Sequence, residues 1–196
     1  MADRSGAVRR GRDSSETVTQ SSPAIRLRRA NRGDIGDLVR LVEQSYRGDE
    51  SRVGWTTEAD LLDGQRTDAL EVGEILDDPW VRLILAEREG VVVGSVLARL
   101  ESDGVHIGML AVHPTLQARG LGRRLLAEAE RVAIEELGHG QAVLWVLSCR
   151  PELVAWYARR GYLDSGRREP FPYGDERFGL PRVAGLEFAV LTKALR

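Results

Sequence analysis

Residues His106 to Leu126 read HIGMLAVHPTLQARGLGRRLL, and they decide the fold. Val105, Ile107, Met109, Leu110, Ala111 and Val112 form a mostly apolar run between Asp103-Gly104 and His113-Pro114, the signature of a buried strand with marked ends. Gln117-Ala118-Arg119-Gly120-Leu121-Gly122 follows, and a helical pattern begins at once. Leu121, Leu125, Ala129, Val132, Ala133 and Leu137 share one face at three- and four-residue spacing. Glycines at a strand-to-helix turn let a ligand approach the backbone. The first N–H groups of a helix have no internal partner and sit at its positive end, so the turn suits a phosphate or pyrophosphate. Arg119, Arg123 and Arg124 add positive charge. Two glycines alone also fit an ordinary turn before an amphipathic helix. A Walker A loop would need Gly-Lys-Ser/Thr where Gly122-Arg123-Arg124 stands, and a dinucleotide fingerprint would need a third glycine.

Outward from this stretch, the chain of 196 residues is long enough for one domain with a substantial core. Its 42% hydrophobic and 30% charged residues are the balance of a soluble globular protein. No apolar run approaches a membrane span, and the N-terminus shows no signal-peptide h-region. Cys149 is the sole cysteine, which rules out an internal disulfide and suits a reducing cytoplasm. His106, His113 and His139 make no zinc-type spacing, so no metal is expected. A net charge of −2 argues against nucleic-acid binding. The charge is uneven: residues 1–32 carry eight Arg against three acids, residues 33–80 thirteen acids against four Arg.

Residues 1–22, rich in Ser, Arg and Gly, are expected to be a disordered tail, with residues 23–196 a single domain. Ile25–Arg29 reads as a first strand, and Asp34 can cap the helix that follows, with Ile35, Leu38, Leu41, Val42 and Tyr46 on its buried side. After a polar loop, Thr56 or Thr57 is expected to cap a second helix burying Leu61 and Leu62, and a shorter helix covers Ala69 to Leu76. Val81–Glu87, Glu89-Gly90 and Val91–Leu100 form a hairpin pattern, and Asp103-Gly104 turns the chain into the central strand. After the central helix come an apolar strand, Ala142–Leu147, and a helix opened by Pro151 and closed at Arg160-Gly161. An extended piece from Tyr162, a long loop over 167–184 and a last strand, Leu186–Thr192, complete the chain.

Gln-x-x-Gly-x-Gly after a strand ending Leu-Ala-Val-His-Pro resembles the coenzyme A loop of the GNAT superfamily of N-acetyltransferases, and the β-α-α-β-β-β-α-β-α-β order matches that fold. The resemblance covers Ile25 to Leu195. It implies an α/β (α+β) fold: a mixed, mostly antiparallel sheet of six to seven strands with flanking helices, whose fourth and fifth strands (here 105–112 and 142–148) splay apart around an acyl-CoA. It implies a pyrophosphate site at Gln117, Ala118, Arg119, Gly120, Leu121, Gly122 and Arg123, and pantetheine pairing with the backbone of Leu110, Ala111 and Val112. Ala155–Tyr162 resembles the family segment in which a tyrosine four residues before a Gly-aromatic pair points at the sulfur. Tyr157 is therefore the expected general acid and a cofactor contact; a phenol with pKa near ~10 lies close to a thiol near ~8.5. The family often carries Asn seven residues earlier; Arg150 stands there and is expected either to take over an anion contact or to leave it out. Relatives with a glutamate base on the fourth strand match it at His106, an imidazole suited to neutral pH. Strict alternation would set His106, Gly108, Leu110 and Val112 on one face. Glu58 and Asp60 are rivals for the amine or its proton, and other relatives rely on ordered water. Tyr46, Trp55, Phe171, Tyr173 and Phe178 are expected to wall the acceptor pocket.

The expected activity is transfer of acetyl from acetyl-CoA to an amine: small molecule, peptide or protein. A different acyl group, a hydroxyl acceptor, or a non-catalytic CoA-binding module remains open. The family's frequent homodimer through its last strands is carried as an expectation.

Overall fold

A computed structural model describes residues 24–196, with residue 177 described by its backbone only. The predicted tail at 1–22 lies outside the described residues. β1 (Arg26–Arg29) leads to α1 (Ile35–Tyr46), a one-turn α2 (Gly48–Ser51), a two-residue β2 (Leu62–Asp63) and α3 (Ala69–Asp77). β3 (Val81–Arg88), β4 (Val91–Glu101) and β5 (Gly104–Val112) then form a meander. α4 (Leu121–Glu135), β6 (Gln141–Leu147), α5 (Pro151–Ala158), β7 (Leu163–Pro170), β8 (Leu180–Pro181) and β9 (Glu187–Ala194) complete the chain. The main sheet has seven strands in the order β1-β3-β4-β5-β6-β9-β7, and β2 and β8 pair separately. All its pairings are antiparallel except β5 with β6.

α4 and α5 cover one face of this sheet. Leu121, Leu125, Ala129, Val132 and Ala133 of α4 pack on Ile84, Val96, Ile107 and Leu144, the helical stripe meeting alternate strand positions. α1 and α3 cover part of the other face, where Leu38, Leu41, Val42, Val72 and Ile75 meet Leu83, Leu85 and Leu97. Among the described residues no helix is long and apolar enough to cross a membrane.

Three expectations about local structure are corrected. Asn31, not Asp34, caps the turn before α1: its side chain accepts from Gly33 N, and Asp34 returns a bond from Asn31 N while gripping Arg28 at 2.7 and 2.8 Å. No helix forms over 55–66. The threonines expected to cap it spend their hydroxyls elsewhere, Thr56 on Ser45 O and Thr57 on Ser51 Oγ, and Ala59 N donates back to Thr57 Oγ1. Such side-chain bonds hold a turn in place of a helix, and the chain runs on into β2. The long loop is shorter than expected, because β7 extends through Pro170 and Leu180–Pro181 pair with β2.

The packing makes a direct prediction. Leu125 is fully buried against Gly94, where an added Cβ would stand 2.8 Å from its Cδ1. Leu125→Ala should therefore cost about 2–5 kcal/mol, read as a lowered urea midpoint with unchanged slope. A loss below about 1 kcal/mol would contradict this packing.

Candidate active site

β5 and β6 pair only through Val105↔Ala142 and His106↔Val143. Beyond them the strands separate, giving the expected splay. β5 also carries a bulge: Ser95 faces Ala111 while Leu97 faces Gly108, and Met109 takes φ +45°. The extra residue reverses the side-chain alternation. Val105 and Ile107 point to the α4 face, and so do Leu110 and Val112; Leu97, opposite Gly108, and Ala111 belong to the α1 core. The single face expected for His106, Gly108, Leu110 and Val112 is thus corrected: the first two lie on the α1 face and the last two on the α4 face.

A cleft of about 710 Å³ opens at the splay, within the ~300–1,000 Å³ usual for small-ligand sites. Leu110 and Val112 form its floor, and Gln117, Ala118, Arg119, Gly120, Gly122 and Arg123 its mouth. Glu152, Leu153, Trp156, Tyr157, Arg159 and Arg160 of α5 and its C-terminal turn form one wall, and Tyr46, Trp55 and Thr56 the other. Gly120 sits at φ +86° at the start of α4, and the first i→i−4 bond there runs from Arg124 N to Gly120 O. The N–H groups before Arg124 are free of the helix's own ladder and form an anion-binding end. Gly122 lies under Trp156, whose ring would be 3.7 Å from an added Cβ. Arg160 stacks on Trp156 with its guanidinium carbon 3.5 Å from the ring centroid. Burial lowers the Arg160 pKa, and the neighbouring Arg159 and Arg123 lower it further. These cations crowd one end of the cleft and favour a polyanion there. The residues present therefore fit a molecule with an anionic head and a slender, mostly apolar arm.

At the inner end stand two tyrosines. Tyr46 donates to Leu110 O at 2.7 Å, and burial, then Glu58, pushes its pKa up to about 12. Tyr157 is 7% exposed, and burial, then the nearby Tyr46, pushes its pKa well above the usual phenol value. Its ring packs edge-on against Trp156 and Tyr162. Among the described residues its hydroxyl has no hydrogen-bond partner, so a proton is held there beside open space.

Other expected residues fall elsewhere. Ala111 and Leu121 are buried in the two cores and contribute side chains only to packing. Arg150 is committed to the fold: it donates to Trp55 O at 2.9 Å, Thr57 O at 2.9 Å and Glu152 at 2.5 Å, so it does not line the cleft. Glu58 is held by Arg47 at 2.5 Å, both largely buried, and is absent from the cleft wall. His106 lies outside the cleft lining, its Nε2 2.7 Å from Asp103 and its ring edge-on to Trp145. The expected aromatic wall is divided: Tyr46 and Trp55 line the cleft, whereas Phe171 packs on Tyr173 and Phe188, and Phe178 gives its carbonyl to Arg47. Trp156, Arg159 and Arg160 were missed as cleft residues. Their signal was available: helical spacing sets Trp156 and Arg160 on one face, beside Tyr157 and four residues apart.

The acetyltransferase (GNAT) family model matches residues 40–162. The "IAA acetyltransferase" of Azospirillum brasilense is 29% identical over 126 residues, covering 62% of this chain and 78% of that protein. Among solved structures, the ribosomal-protein-S18-alanine N-acetyltransferase of Escherichia coli superposes with TM-score 0.64 at 13% identity, covering 88% of this chain and 94% of that one. The PaiA N-acetyltransferase of Thermoplasma acidophilum in complex with coenzyme A gives 0.61 at 15% identity, covering 87% and 99%.

Two outcomes follow from the geometry. Arg150→Ala strips three loop carbonyls of a buried charged donor, so stability should fall by about 2–3 kcal/mol and limited proteolysis should open the chain near residue 55. Unchanged stability would contradict this scaffold role. Tyr46, Tyr157 and Tyr162 all have folded pKa values raised by burial above the unfolded value near ~10. A raised group stabilises fully below its unfolded pKa and loses that contribution as pH rises. The urea midpoint should therefore decline as pH rises from 10 towards 12, and in a Tyr173→Phe background, which removes the half-exposed tyrosine, the tyrosinate absorbance of Tyr157 and Tyr162 at 295 nm should appear only with unfolding.

Proposed function

Because this chain is a member of the acetyltransferase (GNAT) family, an acyl-transferring enzyme, we propose that its donor is acetyl-CoA and its acceptor a primary amine. The observation that carries this reading is the single cleft joining the free helix end of α4, the arginines at its mouth and the lone Tyr157 hydroxyl. The pyrophosphate lies on the N–H groups at Gly120–Arg123, with Arg119 and Arg123 beside them. The pantetheine runs along β5 past Val112 and Leu110, under Trp156. This brings the thioester sulfur to Tyr157.

The acceptor enters the cleft along the wall formed by Trp55 and Thr56, opposite α5. Its neutral amine nitrogen attacks the thioester carbonyl carbon; the C–N bond forms, the C–S bond breaks, and the electron pair leaves on sulfur. Tyr157 gives its proton to that sulfur and is reprotonated from water. Burial keeps the hydroxyl protonated until a thiolate develops beside it. The amine's surplus proton leaves as well. His106, tied to Asp103, and Glu58, held by Arg47, both lie outside the cleft lining, so water carries that proton away.

Tyr157→Phe keeps the ring contacts and deletes only the proton. With acetyl-CoA and a panel of amines, amino acids and peptides, acceptor-dependent CoA release should fall about 10²-fold or more, with acetyl-CoA affinity within a factor of about two. Equal turnover in the variant would remove Tyr157 from the chemistry. An absence of acetyl-CoA binding in the wild-type chain would overturn the donor assignment.

A further inference from the structure

We propose that Tyr46 is the residue that restricts the acyl group to a short chain, by plugging the splay behind the thioester. This rests on the acyl-CoA reading above and adds a specificity to it.

Tyr46 is the last residue of α1, on the opposite face of the sheet from Tyr157. Its ring nevertheless enters the cleft, and its hydroxyl reaches across the gap to Leu110 O at 2.7 Å. It therefore crosses the opening between β5 and β6 from the α1 side. An acyl chain on a sulfur at Tyr157 extends along β5 into this opening, and its far end meets the Tyr46 ring. A methyl group fits in front of the ring, whereas a chain several carbons longer runs into it.

The ring is held on several sides. Ser45, fully buried, bonds Leu41 O at 2.7 Å and Val112 O at 3.2 Å, anchoring the end of α1 to β5. The Tyr46 carbonyl accepts from Glu58 N at 2.9 Å, and the Arg66 guanidinium lies 5.8 Å over the ring. A rotamer swing would break the bond to Leu110 and leave that carbonyl without this donor. Gly108, two residues before Leu110 and on the α1 face, has open space beside it: an added Cβ would meet no heavy atom within 4 Å.

The test is the affinity of the full chain for acetyl-CoA, hexanoyl-CoA and free CoA by calorimetry, in wild type, Tyr46→Phe, Tyr46→Leu and Tyr46→Ala. In wild type hexanoyl-CoA should bind about tenfold or more weakly than acetyl-CoA, since even single methylenes are discriminated by such factors in a closed pocket. Tyr46→Phe should keep that ratio, because it keeps the ring. Tyr46→Ala, and Tyr46→Leu to a lesser degree, should bring it towards unity, each thioester being compared with free CoA in the same variant. Equal wild-type affinity for the two thioesters overturns the plug even where neither truncation folds. A ratio that persists in a folded Tyr46→Ala or Tyr46→Leu variant also overturns it. In both cases CoA binding leaves the donor assignment standing. A wild-type chain that binds none of the three removes the donor assignment and the plug together.

Discussion

The structure depends on how β5 survives with one edge partly unpaired. Its hydrogen bonding to β6 ends after two residue pairs, and the backbone beyond must find other partners or bear the cost of buried, unpaired groups. Side chains supply them. Ser95 donates to Met109 O at 2.8 Å, Tyr46 to Leu110 O, and Gln117 and Ser45 to Val112 O. The four donors come from three neighbours: β4, α1 and the glycine turn. Ser45 and Ser95 are fully buried polar residues in otherwise apolar layers, and this is their reason. The gap is thus a built feature, held open by hydrogen bonds that stand in for the missing strand.

The bulge at Met109 belongs to the same solution. Moving the alternation by one residue turns Leu110 and Val112 towards α4 and α5 and leaves Gly108 on the α1 face, at the opening. One strand thereby serves both sides of the sheet at the point where the sides communicate. The apolar runs, the glycine turns and the 3.6-residue stripe of α4 were legible because they are periodic. The bulge was not: a methionine in the left-handed region has no signature in composition. Strict alternation consequently misplaced His106, the residue whose proposed role depended on it.

The segment 55–66 was misread for a different reason. Ser, Thr and acidic residues before leucines look like a helix start, but here they bond across the turn, and the leucines serve β2 and a small cluster with Leu147, Phe171 and Leu186. These partners lie far along the chain, so no local pattern could announce them. The same holds for Arg150, an arginine at a position of cofactor contact in the resembling family, whose actual ligands are the carbonyls of residues 55–57 some ninety-odd positions earlier.

Gln117 completes that arrangement. Its side-chain oxygen accepts from Trp55 N and its nitrogen donates to Thr56 Oγ1 and Val112 O. Gln117, expected in the pyrophosphate turn, and Arg150, expected either to contact an anion or to leave that contact out, therefore both spend their side chains on one loop. In the proposed complex the anionic head falls to backbone N–H groups and to Arg119, Arg123, Arg159 and Arg160. Backbone donors on a fixed helix end cannot be withdrawn by a rotamer change, and several arginines share the remaining charge. Gln117 and Arg150 together hold Trp55 against Trp156, with ring centroids 6.2 Å apart, so one wall of the cleft is fixed in part by a residue of the glycine turn.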